Sequence, residues 1–247
     1  GRMAHSGPNL AQVPKEKPWG PLCRKCFIPG PGKVQVGFDA SGIEFRGLMH
    51  YAQDAEMTKV GLDGDVHSVH AGRTKEIGAP NHTRDHAKTF LYAWLFGAQA
   101  ARVGGICGGD RDMGQKAIDA MLRKWPGVKK LVDKVQRLAK RDGYITALDG
   151  RKLQIRSQHA ALNTLLQGFG AIVMKNAQLL FQDRLQSEQI PATVMMLCHD
   201  EIQSEVDPEF AEYVAEVGVW SIEEAGRRLG VRVPLAGEAK SGASWAD

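Results

Sequence analysis

Val34-Gln35-Val36-Gly37-Phe38-Asp39 and Val194-Met195-Met196-Leu197-Cys198-His199-Asp200-Glu201 decide how this chain is read. Each is an apolar run of strand length that delivers acid to its end. Carboxylates on rigid strand ends are hard oxygen donors, the set that holds paired divalent cations about 3.5–4 Å apart. Side chains alternate along a strand, so Asp200 and Glu201 do not aim at Asp39 equally; Asp200 is the expected ligand and Glu201 its auxiliary. Between the two runs, residues 83–96 carry Arg84, Lys88 and Tyr92 at i, i+4 and i+8. They form one stripe of a helix whose apolar side is Ala87, Phe90, Leu91, Trp94 and Leu95. Two cations a turn apart grip phosphate, and a flat ring beyond them abuts sugar or base. The combination is equipment for phosphoryl or nucleotidyl transfer, hydrolysis included.

The chain has 247 residues, 43% of them apolar, enough to bury a core as one domain or two lobes. Lysine and arginine number 32 against 28 aspartate and glutamate, a slight excess that permits a polyanionic partner without demanding one. Cys23, Cys26, Cys107 and Cys198 include one C-x-x-C but no second pair at zinc spacing, so they read as free thiols of an intracellular chain. No apolar run reaches membrane-spanning length and no signal peptide opens the chain, so the expected location is cytoplasmic, with no membrane partner. Gly1-Arg2-Met3 lacks an initiator methionine, and the chain reads as a piece of a longer polypeptide.

The first thirty residues, rich in proline, read as an irregular surface loop. The pattern then predicts a strand over 34–39 and helices over 42–54, 83–96, 110–125 and 126–141. A hairpin is expected at Leu148-Asp149-Gly150-Arg151, a long helix over 158–188, a second hairpin over 193–206 turning at His199-Asp200, and a helix opened by Pro208. Gly104-Gly105-Ile106-Cys107-Gly108-Gly109 lacks dinucleotide-loop spacing and reads as a flexible corner. Lys129, Lys130, Lys134, Arg137, Lys140 and Arg141 form a basic face for which solvation and nucleic-acid backbone contact both stand. His67, in Asp65-Val66-His67, is either structural or a phosphate donor. Asn163 and Gln167, one turn apart, are either surface amides or readers of a minor groove.

These pieces resemble family A DNA polymerases, most closely those of T7-like phages. Asp39-Ala40-Ser41-Gly42-Ile43-Glu44-Phe45-Arg46 resembles motif A, Arg84 to Tyr92 and on to Gly97 resembles motif B on the fingers' O helix (83–96), and His199-Asp200-Glu201 resembles motif C. The likeness extends to Pro8-Asn9-Leu10-Ala11-Gln12, Asp65-Val66-His67, Leu148 to Lys152 and Arg156 through Gln167, nearly the whole chain. It implies an α+β right-hand palm, an antiparallel sheet backed by helices, with a mostly helical fingers subdomain. The expected division is palm over 1–60, fingers over 61–145 and palm again over 146–247, with the thumb and the exonuclease domain absent from this chain.

The resemblance also implies roles. Asp39 and Asp200 would hold two Mg2+ ions, joined by the Ala40 carbonyl, with Glu201 in support. Arg84, Lys88 and His67 would bind the triphosphate, and Lys88 would protonate the departing pyrophosphate. Glu44 would bar a ribose 2′-hydroxyl while bonding Tyr92, whose ring packs under the sugar and whose hydroxyl goes with weak discrimination against dideoxynucleotides. Arg2, His159, Asn163 and Gln167 would follow the minor groove of the new pair, and His199 the primer end. Phe96 stands where the family usually has tyrosine, and Ala93 where glycine is common, which touches template positioning and leaves the metal chemistry intact. The implied partners are primer-template DNA and dNTP, with a missing thumb and exonuclease region or separate chain and a processivity factor. The implied process is phage-type DNA replication. Two rivals remain: a DNA-binding fragment inactive without its thumb, and a single-subunit RNA polymerase, which Glu44 disfavours.

Overall fold

The computed structural model describes residues 1–15 and 18–247. In chain order, α1 (Gly20–Arg24) precedes β1 (Val34–Ala40), α2 (Ile43–Ala52), α3 (Ala55–Asp63), α4 (Val66–Glu76) and α5 (Arg84–Leu95). There follow α6 (Ala100–Ile106), α7 (Arg111–Lys124), α8 (Pro126–Asp142), β2 (Tyr144–Thr146) and β3 (Lys152–Gln154). The last elements are α9 (Ala161–Ser187), β4 (Thr193–Cys198), β5 (Glu201–Val206), α10 (Ala211–Arg228) and β6 (Gly237–Gly242). Two compact units result, Gly1–Ile43 with Gln167–Asp247, and Glu44–Leu166.

The first unit is built on an antiparallel sheet of order β4-β5-β1-β6. Strand alternation sends Val36 and Phe38 of β1 and Ile202 and Val206 of β5 to one face, all fully buried. Phe38 meets Phe181 of α9 at 4.8 Å between ring centroids. Helix α10 lies close enough that a Cβ on Gly218 would come within 2.6 Å of the same ring. The other face of the sheet is polar and carries the acids.

The second unit is helical, with the small β2–β3 hairpin against α8. Its tightest seam joins α6 and α7, where a Cβ on Gly104 would lie 1.8 Å from the Asp110 carbonyl oxygen and one on Gly114 1.9 Å from that of Ala100. Gly104 and Gly114 therefore serve close helix packing; of the corner expected over 104–109, residues 104–106 end α6 and 107–109 form the turn after it. Asp54 caps α3 by accepting from the Met57 amide at 3.0 Å, and its other oxygen accepts from Gly127 at 2.9 Å, fixing the start of α8. Helix α8 buries Val128, Leu131, Val135 and Ala139 and turns its basic face to solvent, where Lys129 and Arg141 sit in exposed ion pairs with Asp133 and Asp142.

Several expectations need correction. The first thirty residues contain a 3-10 turn at Leu10–Gln12 and the helix α1. Asp65 and His67 open a helix, α4, that the sequence reading missed because its apolar residues show no helical stripe. The long helix begins at Ala161 after a 3-10 turn at Gln158–Ala160. The compact units divide at Ile43/Glu44 and Leu166/Gln167. The cause is packing: Gly61 of α3 closes on Met49 and Phe45 of α2, which draws both helices into the helical unit.

His70 of α4 is 1% exposed, 4.5 Å from the Phe90 ring and stacked 6.0 Å from Trp125. Burial, helped by Arg73, lowers its pKa to about 4. The folded state thus prefers the neutral ring, and the stability this contributes is complete above the unfolded pKa of about 6.5 and is lost as pH falls toward 4. The unfolding free energy from urea titrations should drop across that window by up to about 1.4 kcal/mol per pH unit from this group, and His70→Leu should flatten the dependence.

Candidate active site

The polar face of the sheet follows from one register. Asp39 lies opposite Glu201, Gly37 opposite Gln203 and Gln35 opposite Glu205, while Glu238 and Lys240 of β6 flank Asp39 and Gly37 on the other side. Gly37 is a glycine for a reason: a Cβ there would sit 2.2 Å from the Gln203 amide nitrogen, which crosses the strand at that point. β4 and β5 meet through a two-residue turn, His199-Asp200. His199 takes the left-handed φ of +59°, a conformation costly for a residue with a Cβ, and its Nε2 donates to the Ala11 carbonyl at 3.0 Å. His5 Nε2 donates to the Leu197 carbonyl at 2.7 Å, so the N-terminal segment braces the hairpin. The Ala40 amide donates to the Asp200 carbonyl at 3.1 Å, which fastens the turn to the end of β1.

Asp39, Asp200, Glu201 and Glu238 share a cleft of about 490 Å³ with Lys15, Lys240 and Arg24. The Asp39 carboxyl titrates above the ordinary aspartate range, first through burial and then through Glu201, with Glu238 adding and Lys15 and Lys240 opposing. Asp200 stands in the turn rather than in the strand, so strand alternation does not set its direction relative to Glu201. Glu201 is the direct cross-strand neighbour of Asp39, yet its oxygens are engaged: Oε1 accepts from Trp245 Nε1 at 2.7 Å and from Gln203 Nε2, and Oε2 lies 3.8 Å from the Arg24 guanidinium. An all-oxygen donor set, with mutual repulsion that a cation would relieve, suits a hard divalent ion. Among the described residues no three His, Cys, Asp or Glu side chains converge as a ready-made metal cage.

The helical unit gathers a second cluster. Thr83 caps α5, accepting from the His86 amide at 3.4 Å, and the Arg84, Lys88 and Tyr92 stripe follows. Arg84 Nε donates to Asp65 Oδ2 at 2.6 Å, and Asp65 also caps α4 through the His67 and Ser68 amides at 3.0 and 3.3 Å. The Arg84 hydrogen bond, above all, holds Asp65 well below the usual carboxylate range. His67 lies 6.0 Å from the Tyr92 ring; burial lowers its pKa, and the Arg84 and Lys88 charges lower it further against Asp65. Its Nδ1 is buried with no hydrogen-bond partner among the described residues.

The remaining predicted residues are dispersed. Glu44 is buried in the first turn of α2, and Phe96, 52% exposed, ends α5. Asn163 donates to the Leu95 carbonyl at 3.2 Å and lines a cleft with His159, Trp94 and Gln99, while Gln167 lies one turn further along α9. Arg2 is half-buried in the segment that braces the hairpin. The sequence reading missed Gln203, Trp245 and Arg24; only Gln203 carried a signal, its two-residue spacing from Glu201 on the same strand face.

A sheet with acids at adjacent strand ends, two helices behind it and a helical unit bearing a cationic stripe defines a polymerase fold. The polymerase domain of Pol1 from M. smegmatis, solved in complex with DNA primer-template and dNTP, matches it with a TM-score of 0.88 at 23% identity, over 100% of this chain and 46% of that one. The chain belongs to DNA polymerase family A, whose model matches residues 1–247. It is 33% identical to the DNA-directed DNA polymerase of Enterobacteria phage T3 over 99% of this chain and 39% of that protein. The Escherichia phage T7 enzyme is also 33% identical, over 100% and 39%, and DNA polymerase I of Rhizobium leguminosarum 29%, over 99% and 26%. The chain thus spans about two fifths of its phage relatives. Among the described residues no helix is long and apolar enough to cross a membrane.

Asp65→Asn should keep the cap on α4, since asparagine caps as well as aspartate, while releasing Arg84. Because the pair is exposed, inorganic tripolyphosphate should then bind about two- to fivefold more tightly by calorimetry, with no change in melting temperature.

Proposed function

We propose that this chain carries template-directed DNA synthesis, adding a deoxynucleotide from dNTP to a primer 3′-hydroxyl, with the sheet unit as palm and the helical unit as fingers. The observation that supports it most is the pairing of Asp39 with the His199-Asp200-Glu201 turn in a chain of this family. Asp39 and Asp200 would hold two Mg2+ ions with the Ala40 carbonyl. When bound, these ions lower the pKa of the 3′-hydroxyl and neutralise charge on the triphosphate.

The protein's own groups do the rest. Arg84 exchanges Asp65 for phosphate, an exchange between like acceptors that costs little. His67, kept neutral by burial and by two cations, donates one hydrogen bond to phosphate without a proton transfer. Lys88 stands one turn from Arg84, placed to protonate the leaving pyrophosphate. Glu44 excludes a 2′-hydroxyl and Tyr92 packs under the sugar. Arg2, His159, Asn163 and Gln167 follow the minor groove, His199 the primer end and Phe96 the template base. Phosphate contacts from a thumb region or a processivity factor belong to the same reading, because primer-template affinity rests largely on phosphate neutralisation.

Magnesium-dependent primer extension tests this. The chain should extend weakly and without processivity, prefer dNTP to rNTP, and lose roughly a thousandfold or more in rate on Asp39→Ala or Asp200→Ala, as expected when several kcal/mol of charge stabilisation goes. DNA binding with no extension, or extension indifferent to both substitutions, contradicts it.

A further inference from the structure

The polar face of the sheet holds Glu201 more tightly than a spectator acid requires. Its Oε1 receives two donors, Trp245 Nε1 at 2.7 Å and Gln203 Nε2. A carboxylate only accepts, so Gln203 must turn its NH2 toward Glu201 and its oxygen away. That oxygen accepts from Gln35 Nε2 at 2.7 Å, so the acid sets the orientation of both buried amides. Trp245 is 4% exposed and is itself fixed: its amide donates to the Phe27 carbonyl at 3.0 Å, its ring meets Phe27 edge-on at 5.4 Å, and the Arg24 guanidinium lies 4.0 Å over its face. Arg24 faces the remaining oxygen, Oε2, at 3.8 Å. The turn that presents Trp245 is closed by Asp247, whose Oδ2 accepts from the Ala243 and Ser244 amides at 2.9 Å each.

We infer that Trp245, Gln203 and Arg24 are positioning residues that lock Glu201 as a fixed anion beside Asp39 and withhold its oxygens from any ion bound there. This rests on the reading of Asp39 and Asp200 as the cation ligands. Glu201 would then contribute charge through space and leave Asp39 and Asp200 to hold the cation. Two hydrogen bonds on Oε1 fill both of its lone-pair directions, and the Arg24 guanidinium, 3.8 Å from Oε2, opposes a cation there by its charge.

Mn2+ titration read by electron spin resonance and water-proton relaxation tests the lock without reference to activity. Asp39→Asn and Asp200→Asn should each abolish high-affinity Mn2+ binding. Glu201→Gln should only weaken it, by about tenfold, with the number of ions unchanged, the scale of losing one nearby charge. Trp245→Phe keeps the apolar packing but removes the N–H donor; Gln203→Met removes the other donor. Either should tighten Mn2+ by about three- to tenfold and lower the relaxation enhancement, as a freed Glu201 oxygen replaces bound water. Loss of binding in Glu201→Gln equal to that in Asp39→Asn makes Glu201 a ligand and overturns the lock, as do Trp245→Phe and Gln203→Met that both behave like wild type. Normal Mn2+ binding in both aspartate variants overturns the reading of the site and the lock with it.

Discussion

The antiparallel pairing of β1 with β5 in a single register is the constraint on which the site depends. A slip of one residue would turn Asp39 into the core and Phe38 onto the polar face, exchanging a buried ring for a buried carboxylate. The register is held from both sides. Phe38 is locked between α9 and α10, and Gly37 leaves room for the Gln203 side chain to cross the strand. The alternation that builds the core therefore also lines up Asp39, Glu201 and Gln203 on the opposite face.

That arrangement concentrates like charge. Asp39 faces Glu201 across one strand pair and Glu238 across the other, and its pKa is raised first by partial burial and then by these like charges. Lys15 and Lys240 offset part of it, and a divalent cation would relieve much more. The helical unit shows the complementary economy. Asp65 serves twice, capping α4 and orienting Arg84, so the guanidinium is already extended and bonded in a form an incoming phosphate can replace. His67 opens the same helix and stays neutral under the field of two neighbouring cations, a state suited to donating a hydrogen bond to an anion at neutral pH.

Local features were legible in the sequence, and long-range ones were not. The alternating run 34–39, the hairpin at His199-Asp200 and the Arg84, Lys88, Tyr92 stripe each declare themselves within a few residues, and the structure forms all three. Helix α4 escaped because its buried residues, Val66, His70, Ala71 and Thr74, are too mixed in polarity to show a period. Gly104 looked like flexibility because close approach of two helices is visible only when the partner helix is known. The bonds on Glu201 come from Arg24 and Trp245, residues far apart in the chain, and β6 reads poorly because glycine and charge dilute its alternation.

The central claim is that the ends of β1 and of the β4–β5 hairpin form a divalent-cation site. Fe2+ substituted for Mg2+ in the presence of ascorbate and peroxide cleaves the backbone nearest the bound ion, and the cut positions can be read by mass spectrometry. The account predicts cuts confined to residues near 37–41 and 198–202, suppressed by excess Mg2+ and absent in Asp39→Asn. Cuts elsewhere in the chain, or cuts at these positions that neither Mg2+ nor Asp39→Asn diminishes, would contradict it.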